Sequence, residues 1–458
     1  MLKVKNINRD DNFFFIGGNS INAVEMADLI SKVFNKEIPS EFIFKSPSLK
    51  EYAWKIELYL ENKKDKGILY SDLFWIWRNK ETLFDIKVSK DLAVDNNQYK
   101  NPKAVFLTGA TGFVGAFVLK SLLEDTKAKI YCHVRADSNE EGLSRIKENL
   151  KRYDIWNDVY ERKIKIVPGD LGKKLLGMDK ALFEEIALNA DSIFHVGANV
   201  NHLLAFEELK ASNVLATEII LQLASMKKKK PLHFISTTDI FEIQEEIKED
   251  DNLLNSKLLF NGYAQSKWVA ERIIKKAREQ GCAVSIYRLS RISGSTTTGM
   301  GPVSDFFWKL IQVSCYTGFF PDLDIKENIT PVDFVADALV YISKQPEYIN
   351  KNYHLFNSEQ VSYSDFFSYL QNYGFSLKKL EYDKWKNKLV DKLSNTSLKH
   401  LVPLFSEFNL ATMTQKVNFN CQNKERALQN FEGEKTNLNE KLFDKYLDYY
   451  IKIGFLKK

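Results

Sequence analysis

Thr108-Gly109-Ala110-Thr111-Gly112-Phe113-Val114-Gly115 is the stretch on which the fold turns. The apolar run Ala104-Val105-Phe106-Leu107 precedes it, and Ala116-Phe117-Val118-Leu119-Lys120-Ser121-Leu122-Leu123, apolar at helical period, follows. Strand, glycine turn and helix, in that order, put a pyrophosphate against a helix N-terminus. The three glycines allow a tight turn, a close backbone approach to phosphate and tight helix–strand packing. Gly109, Thr111, Gly112, Phe113, Val114 and Gly115 are therefore the first candidate cofactor contacts. From residue 103 to about 290, strand and helix patterns alternate, which predicts a doubly wound parallel sheet of Rossmann type.

About 20 residues beyond the glycines such a fold places the residue that reads the cofactor ribose. The strand Lys129-Ile130-Tyr131-Cys132-His133-Val134 ends there in Arg135, where a carboxylate would repel a 2′-phosphate. A guanidinium pairs with phosphate bidentately, so NADPH is favoured over NADH, with Arg145 as a second donor. Further on stands Tyr263-Ala264-Gln265-Ser266-Lys267. On a helix, Tyr263 and Lys267 share a face, and the ammonium, with the positive nicotinamide ring of the oxidised cofactor, is expected to lower the phenol pKa towards working pH. Tyr263 then serves as a proton donor or acceptor. The run His233-Phe234-Ile235-Ser236-Thr237-Thr238-Asp239 reads as a buried strand ending in hydroxyls, one of which could stabilise charge on a substrate carbonyl.

These features together resemble the extended short-chain dehydrogenase/reductase family. The resemblance implies a triad of Thr237, Tyr263 and Lys267, with Lys267 also bonding the nicotinamide ribose. It places Gly169, Asp170 and Leu171 beside the adenine. It lines the nicotinamide and phosphate side with Phe194 to Asn201, including Gly197, Ala198 and Asn199, and has Asn213 support the active-site geometry. Thr330-Pro331-Val332-Asp333 resembles that family's late motif, whereas Tyr287 to Gly294 departs from the Arg-Pro-Gly pattern such enzymes carry beside the nicotinamide.

The N-terminus carries Asp11-Asn12-Phe13-Phe14-Phe15-Ile16-Gly17-Gly18-Asn19-Ser20 and then an amphipathic helix. An isolated serine at that place is simply an N-cap. The whole string, with Ile38-Pro39, Phe42-Ile43-Phe44 and Ser46 to Ala53, resembles a peptidyl carrier domain. That resemblance makes Ser20 the attachment site of 4′-phosphopantetheine. About ten residues precede the segment, too few for the first helix of such a domain, so the carrier is expected to lack it. A carrier followed by an NADPH-type reductase resembles the end of a nonribosomal peptide synthetase. The implied function is NADPH-dependent reductive release of a carrier-bound acyl or peptidyl thioester as an aldehyde, with a second hydride giving an alcohol. The implied partners are the loaded carrier, upstream synthetase domains and a phosphopantetheinyl transferase. The rival readings are a free-standing reductase or epimerase acting on a small or sugar-nucleotide substrate, and a non-catalytic nucleotide-binding module.

Composition bounds these readings. With 458 residues, 44% hydrophobic and 27% charged, the chain has the balance of a soluble globular protein of several domains. A net charge of +5 makes no case for nucleic acid. Lys227 to Lys230 reads as a solvated helix end. Cys132, Cys282, Cys315 and Cys421 are scattered, which fits a reducing cytoplasm. No run reaches about 18 apolar residues, and no signal peptide is visible. His195 and His202 lack the Cys or carboxylate neighbours of a metal site, so none is expected. The expected domains are 1–62 (truncated helical carrier), 63–102 (linker and lead-in, with Leu73, Phe74, Trp75 and Trp77 packing), 103–295 (NADPH-binding) and 296–458 (a mainly helical substrate subdomain), with 330–357 returning to the sheet. Phe306, Phe307, Trp308, Leu310, Ile311, Phe319 and Phe320 are candidates for an acyl-pocket wall or for core.

Overall fold

The computed structural model describes residues 9, 13, 20–40, 42–43, 48–60, 99–201, 204–241, 246–251, 261–357, 359–393, 396–402, 405, 417–433 and 437–458. The glycines Gly17 and Gly18, the charged linker, Leu73 to Trp77, His202 and the expected absence of a first carrier helix lie outside the described residues.

At the N-terminal end, α1 (Ser20–Phe34) and α2 (Leu49–Leu60) flank a small core of Phe13, Ala23, Ile38, Phe42, Ile43, Tyr52 and Ile56. Ser20 is the first residue of α1.

The central body is a sheet of seven strands: β1 (Ala104–Thr108), β2 (Lys129–Val134), β3 (Ile164–Pro168), β4 (Ser192–His195), β5 (Leu232–Thr237), β6 (Val284–Leu289) and β7 (Asn352–His354). Their spatial order is β7-β6-β5-β4-β1-β2-β3, and every neighbouring pair is parallel. Strands buried on both faces must be apolar throughout, and β1 shows how. Val105 and Leu107 point into a core shared with α3 (Phe113–Asp125) and α4 (Asn139–Arg152). Ala104 and Phe106 point into the opposite core, shared with α5 (Lys180–Asn189). The same side holds a helix that begins as α6 (Phe206–Lys210), passes through a π-turn at Ala211–Leu215 and continues as α7 (Ala216–Ser225). Connections run one way from β1 to β2 and the other way from β3 to β4, so the crevice at the ends of β1 and β4 is the topological switch point, where such sheets bind ligands. The glycine turn lies there.

After β5 comes α8 (Gly262–Glu279), capped by Asn261, which carries Tyr263 and Lys267. Between β6 and β7 the chain leaves the sheet through α9 (Phe306–Thr317) and returns along α10 (Val332–Ser343), whose apolar face covers α3. Beyond β7, α11 (Tyr363–Tyr373), α12 (Tyr382–Leu393), α13 (Gln422–Ala427) and α14 (Glu440–Lys452) follow; α11, α12 and α14 join α9 around a third core. Trp308 stacks there on Phe443 at 5.6 Å and meets Tyr450 at 4.1 Å. Phe307, Leu310, Ile311 and Phe320 are buried in the same cluster, so these residues build the core of the subdomain, and Phe306 and Phe319 pack at its edge.

The lysine run differs from its sequence reading. Lys230 is buried, and its Nζ donates to the carbonyls of Leu223, Met226 and Lys228 at 2.9, 2.7 and 2.9 Å, closing the end of α7. Lys228 pairs with Asp191 at 2.7 Å. The run is thus partly a helix C-cap, because α7 ends with carbonyls that a cation satisfies. Among the described residues no helix is long and apolar enough to cross a membrane. The four cysteines are unbridged.

Candidate active site and cofactor cradle

The glycine turn admits no side chain at Gly109 or Gly115. Gly109 has φ +82°, and a Cβ there would stand 2.6 Å from the Gly197 nitrogen. A Cβ on Gly115 would collide with the Gly109 carbonyl. Gly112 is freer, with its nearest neighbour, the Gly109 carbonyl, at 3.3 Å. Gly112 is also the N-cap of α3 and supplies no side-chain cap, so the first amides of α3 face the turn without one. Phe113 sends its ring into the core against Phe117 and Tyr153 and leaves its backbone at the helix start. Thr111 and Val114 are half-buried on the same turn.

Two side chains that sequence reasoning leaves without a role hold this cradle in shape. Thr108 Oγ1 accepts the Gly197 N–H at 3.0 Å and bonds His195 Nδ1 at 2.8 Å. That ties the end of β1 to the end of β4. Burial pushes His195 down to about 3, so it stays neutral. Among the described residues no group of His, Cys, Asp and Glu could hold a metal, and His195 is a structural strand-end histidine. From α4, buried Asn149 donates to the Gly112 carbonyl at 3.1 Å. No local sequence signal marks Asn149; it is a helical polar residue like many others until its partner, 37 residues away, is known.

Arg135 is exposed at the end of β2. Arg145, from α4, donates to the Arg135 backbone carbonyl, which puts its guanidinium at the end of β2. Asp170 and Leu171 follow β3. The Asp170 carboxylate accepts the Gly172 N–H at 2.8 Å, and the Leu171 methyl lies 2.9 Å from where a Gly197 Cβ would sit. Gly197, Ala198 and Asn199 follow β4. The Asn199 N–H donates to Asn213 Oδ1 at 2.8 Å, and Asn213 Nδ2 donates to the Asn199 carbonyl at 3.1 Å and to Ser266 Oγ at 2.9 Å. Asn213 sits on the π-turn, where the wider helix lets a polar side chain reach across to α8. It joins the loop after β4 to the helix that carries Tyr263.

Thr237 ends β5, and its Oγ1 accepts the Asp239 N–H at 3.2 Å. Asp239 is the carboxylate whose charge acts on Tyr263. Lys267 Nζ donates to the Ile235 carbonyl at 2.5 Å and lies 4.0 Å above the Phe234 ring. Lys267 thus reaches β5 two residues before Thr237, and Tyr263 feels the charge of Asp239, two residues after it. Their acidities differ from the sequence expectation. Burial, followed by the Asp239 charge, raises the Tyr263 phenol above its usual value. Burial also pushes Lys267 down to about 7, with Glu271 opposing. Lys267 does not lower the phenol here, because the same dry surroundings penalise both charged forms. Tyr263 thus holds its proton at neutral pH and suits the role of an acid.

The residues present fit a dinucleotide. The cradle leaves no room for a Cβ at Gly109 or Gly115, the start of α3 is uncapped, and the Arg145 guanidinium lies at the backbone of Arg135 at the end of β2.

Comparison with known proteins identifies the family and the fold. A family model for an NAD-binding domain, described as male sterility protein, matches residues 107–339, and a phosphopantetheine attachment site model matches residues 1–53. One of the subunits of the linear gramicidin synthase of Brevibacillus parabrevis is 33% identical over all of this chain, which spans 9% of that relative's length. The terminal R domain from the myxalamid PKS-NRPS pathway superposes with a TM-score of 0.79 at 33% identity, over 84% of this chain and 99% of its own. A thiolation-reductase di-domain from an archaeal nonribosomal peptide synthetase shares the fold over 100% of this chain and 96% of its own, with a TM-score of 0.75 at 19% identity. Glycine cradle, strand-end threonine and Tyr–Lys helix stand in one oxidoreductase fold behind a carrier-type segment, and the chain belongs to the NAD-binding male sterility protein family of reductases, with a phosphopantetheine attachment domain ahead of it.

Proposed function

We propose that this chain reduces a carrier-bound acyl or peptidyl thioester and so releases it as an aldehyde. The observation that carries the reading is Tyr263, a buried phenol that keeps its proton on the helix face it shares with Lys267, whose ammonium is anchored to the Ile235 carbonyl of β5. A thioester carbonyl that gains a hydride needs an acid close to its oxygen. The glycine turn would hold the pyrophosphate of NADPH, and Arg135 and Arg145 its 2′-phosphate; bound there, the cofactor would supply the hydride. Asp170 and Leu171 take the adenine side, and Gly197, Ala198 and Asn199 the other phosphate side.

Thr237 Oγ1 and the Tyr263 phenol donate to the carbonyl oxygen and favour the negative charge that develops there. Tyr263 then gives its proton to that oxygen. Lys267 supports the phenolate electrostatically and hydrogen-bonds the nicotinamide ribose, while Asn213 keeps α8 in register with the loop after β4. Loss of the thiol from the reduced carbon leaves the aldehyde. The balance is one thioester, one NADPH and one proton consumed for one aldehyde, one thiol and one NADP⁺; a second such reduction gives the alcohol. Ser20, first in α1, is the attachment point for 4′-phosphopantetheine, and a phosphate there would meet the positive end of the helix. Tethering raises the local thioester concentration, so weak intrinsic affinity for the acyl group suffices. A phosphopantetheinyl transferase and upstream synthetase domains are the implied partners, in a reducing cytoplasm that suits four unbridged cysteines. Neither nucleic acid nor membrane has a part in the scheme.

The test is product counting. The chain is incubated with NADPH and either an aminoacyl-pantetheine thioester or a loaded carrier. NADPH consumed per thiol released should be one to one for an aldehyde and two to one for an alcohol. NADPH binding without consumption in either case would count against the proposal.

A further inference from the structure

Thr237 caps a single turn of 3-10 helix, Thr238–Ile240, and Phe241 closes that turn with its N–H on the Thr238 carbonyl. Three residues surround the Phe241 ring. The Arg288 guanidinium of β6 lies over it at 4.7 Å, His354 of β7 meets it edge-on at 5.8 Å, and Phe419 stands at 6.4 Å. One short segment of the connection between β5 and α8 holds all three. Arg288 Nη1 donates to the Glu249 carbonyl at 2.7 Å, and the His354 N–H donates to Glu249 Oε1 at 3.0 Å. Phe419 is partnered by Ile247, where Asn418–Phe419 pairs in parallel with Glu246–Ile247. The Glu249 carboxylate secures that pairing just beyond its end. It accepts the N–H of Asn423 at 2.6 Å and of Lys424 at 3.1 Å, both in α13. Arg288 is fixed from its other side by Glu271 of α8, with Nε donating to Oε1 at 3.0 Å and Nη2 to Oε2 at 2.9 Å.

Glu249 is itself buried. A carboxylate out of water is costly unless its oxygens are satisfied, and here three backbone amides satisfy them. Those amides come from β7 and α13, so one side chain draws together a sheet edge and a segment more than 170 residues along the chain. We propose that Glu249 is a positioning residue for Thr237: it assembles the socket around Phe241 and so fixes the turn that starts at the Thr237 hydroxyl. The inference rests on the reading of Thr237 given above. The turn spans three residues, so play at Phe241 is passed to Thr237 at its other end. A donor to a developing oxyanion has to stand about 3 Å from it, and a small displacement there is felt in rate more than in binding.

The experiment is a double-mutant cycle in the full chain, read by NADPH oxidation with octanoyl-pantetheine thioester. Glu249→Gln keeps the shape of the side chain and one acceptor oxygen. It should lower kcat by about tenfold, with KM for the thioester and NADPH affinity within a few-fold of wild type. In a Thr237→Val background, which lacks the hydroxyl to be placed, the same substitution should change kcat by less than about twofold. A purely structural role would lower the rate by one factor in both backgrounds. Phe241→Leu, which loosens the socket from the other end and leaves Glu249 in place, should repeat the pattern, and it decides the matter if Glu249→Gln fails to fold and bind NADPH. Equal losses with and without the Thr237 hydroxyl, or a wild-type kcat in a folded Glu249→Gln protein, overturn the proposal. A Thr237→Val enzyme at the wild-type rate would instead remove the reading of the site, so the two failures are distinct.

Discussion

Replacing Gly109 with alanine tests the cofactor cradle at its most constrained point. Two costs arise, and both can be worked from the geometry. At φ +82° the new Cβ opposes its own backbone, at about 1–2 kcal/mol. It would also stand 2.6 Å from the nitrogen and 2.7 Å from the Cα of Gly197, backbone atoms that cannot rotate away. The Gly197 N–H is held by Thr108, and Thr108 by His195, so relief means pulling the ends of β1 and β4 apart. Overpacking of this kind costs roughly 1–3 kcal/mol. A combined cost of about 3 kcal/mol corresponds to ~100-fold in NADPH affinity if the strain is relieved by opening the cradle, and to a lower melting temperature if it is not. NADPH fluorescence titration and a thermal melt of the same variant measure both. Gly112→Ala is the internal control: its Cβ would have one neighbour, at 3.3 Å, and a negative φ, so its affinity should stay within a few-fold of wild type. A Gly109→Ala protein with wild-type melting temperature and wild-type affinity would refute the reasoning. So would a Gly112 variant impaired as severely.

Two further outcomes follow from the charges of the site. Arg135→Ala/Arg145→Ala should cut the preference for NADPH over NADH by about ten- to a hundredfold and leave NADH binding unchanged, as read by the ratio of the two dissociation constants. His195 titrates near 3 when folded and near 6.5 when unfolded, so the unfolded chain binds the extra proton between those values and the stability this residue lends is lost as pH falls through that window. Urea unfolding of wild type and His195→Asn should therefore show the wild-type advantage shrinking by about 1.4 kcal/mol per pH unit from pH 6 to pH 4; a constant difference would contradict a buried neutral imidazole.

What the sequence revealed was local. Gly109 to Gly115 announces the turn because all its chemistry lies within one strand–helix connection. Tyr263 and Lys267 announce a shared face because four residues make about one turn. What it hid was long-range. Thr108 meets His195 across 87 residues, Arg288 meets Glu271 from another element, and Asn149 reaches Gly112 from a helix whose pattern gives no hint of it. Acidity was hidden for the same reason. Spacing suggests that Lys267 lowers the Tyr263 pKa, but burial by distant segments decides the sign. Apolar residues carry a similar ambiguity. Trp308 and its neighbours could line a pocket or fill a core until α14 brings Phe443 and Tyr450 onto them. Lys230 reads as solvated surface until the carbonyls at the end of α7 close around it.

The central claim is that Tyr263 is the acid of a thioester reduction. Its most direct test compares wild type with Tyr263→Phe for NADPH oxidation on an aminoacyl-pantetheine thioester and on a loaded carrier, with NADPH affinity measured alongside. The phenyl ring keeps the packing and removes the hydroxyl that would give the proton. The expected result is a rate lower by about 10²–10⁴-fold with NADPH affinity within twofold of wild type. A Tyr263→Phe enzyme that reduces either thioester at the wild-type rate would contradict it.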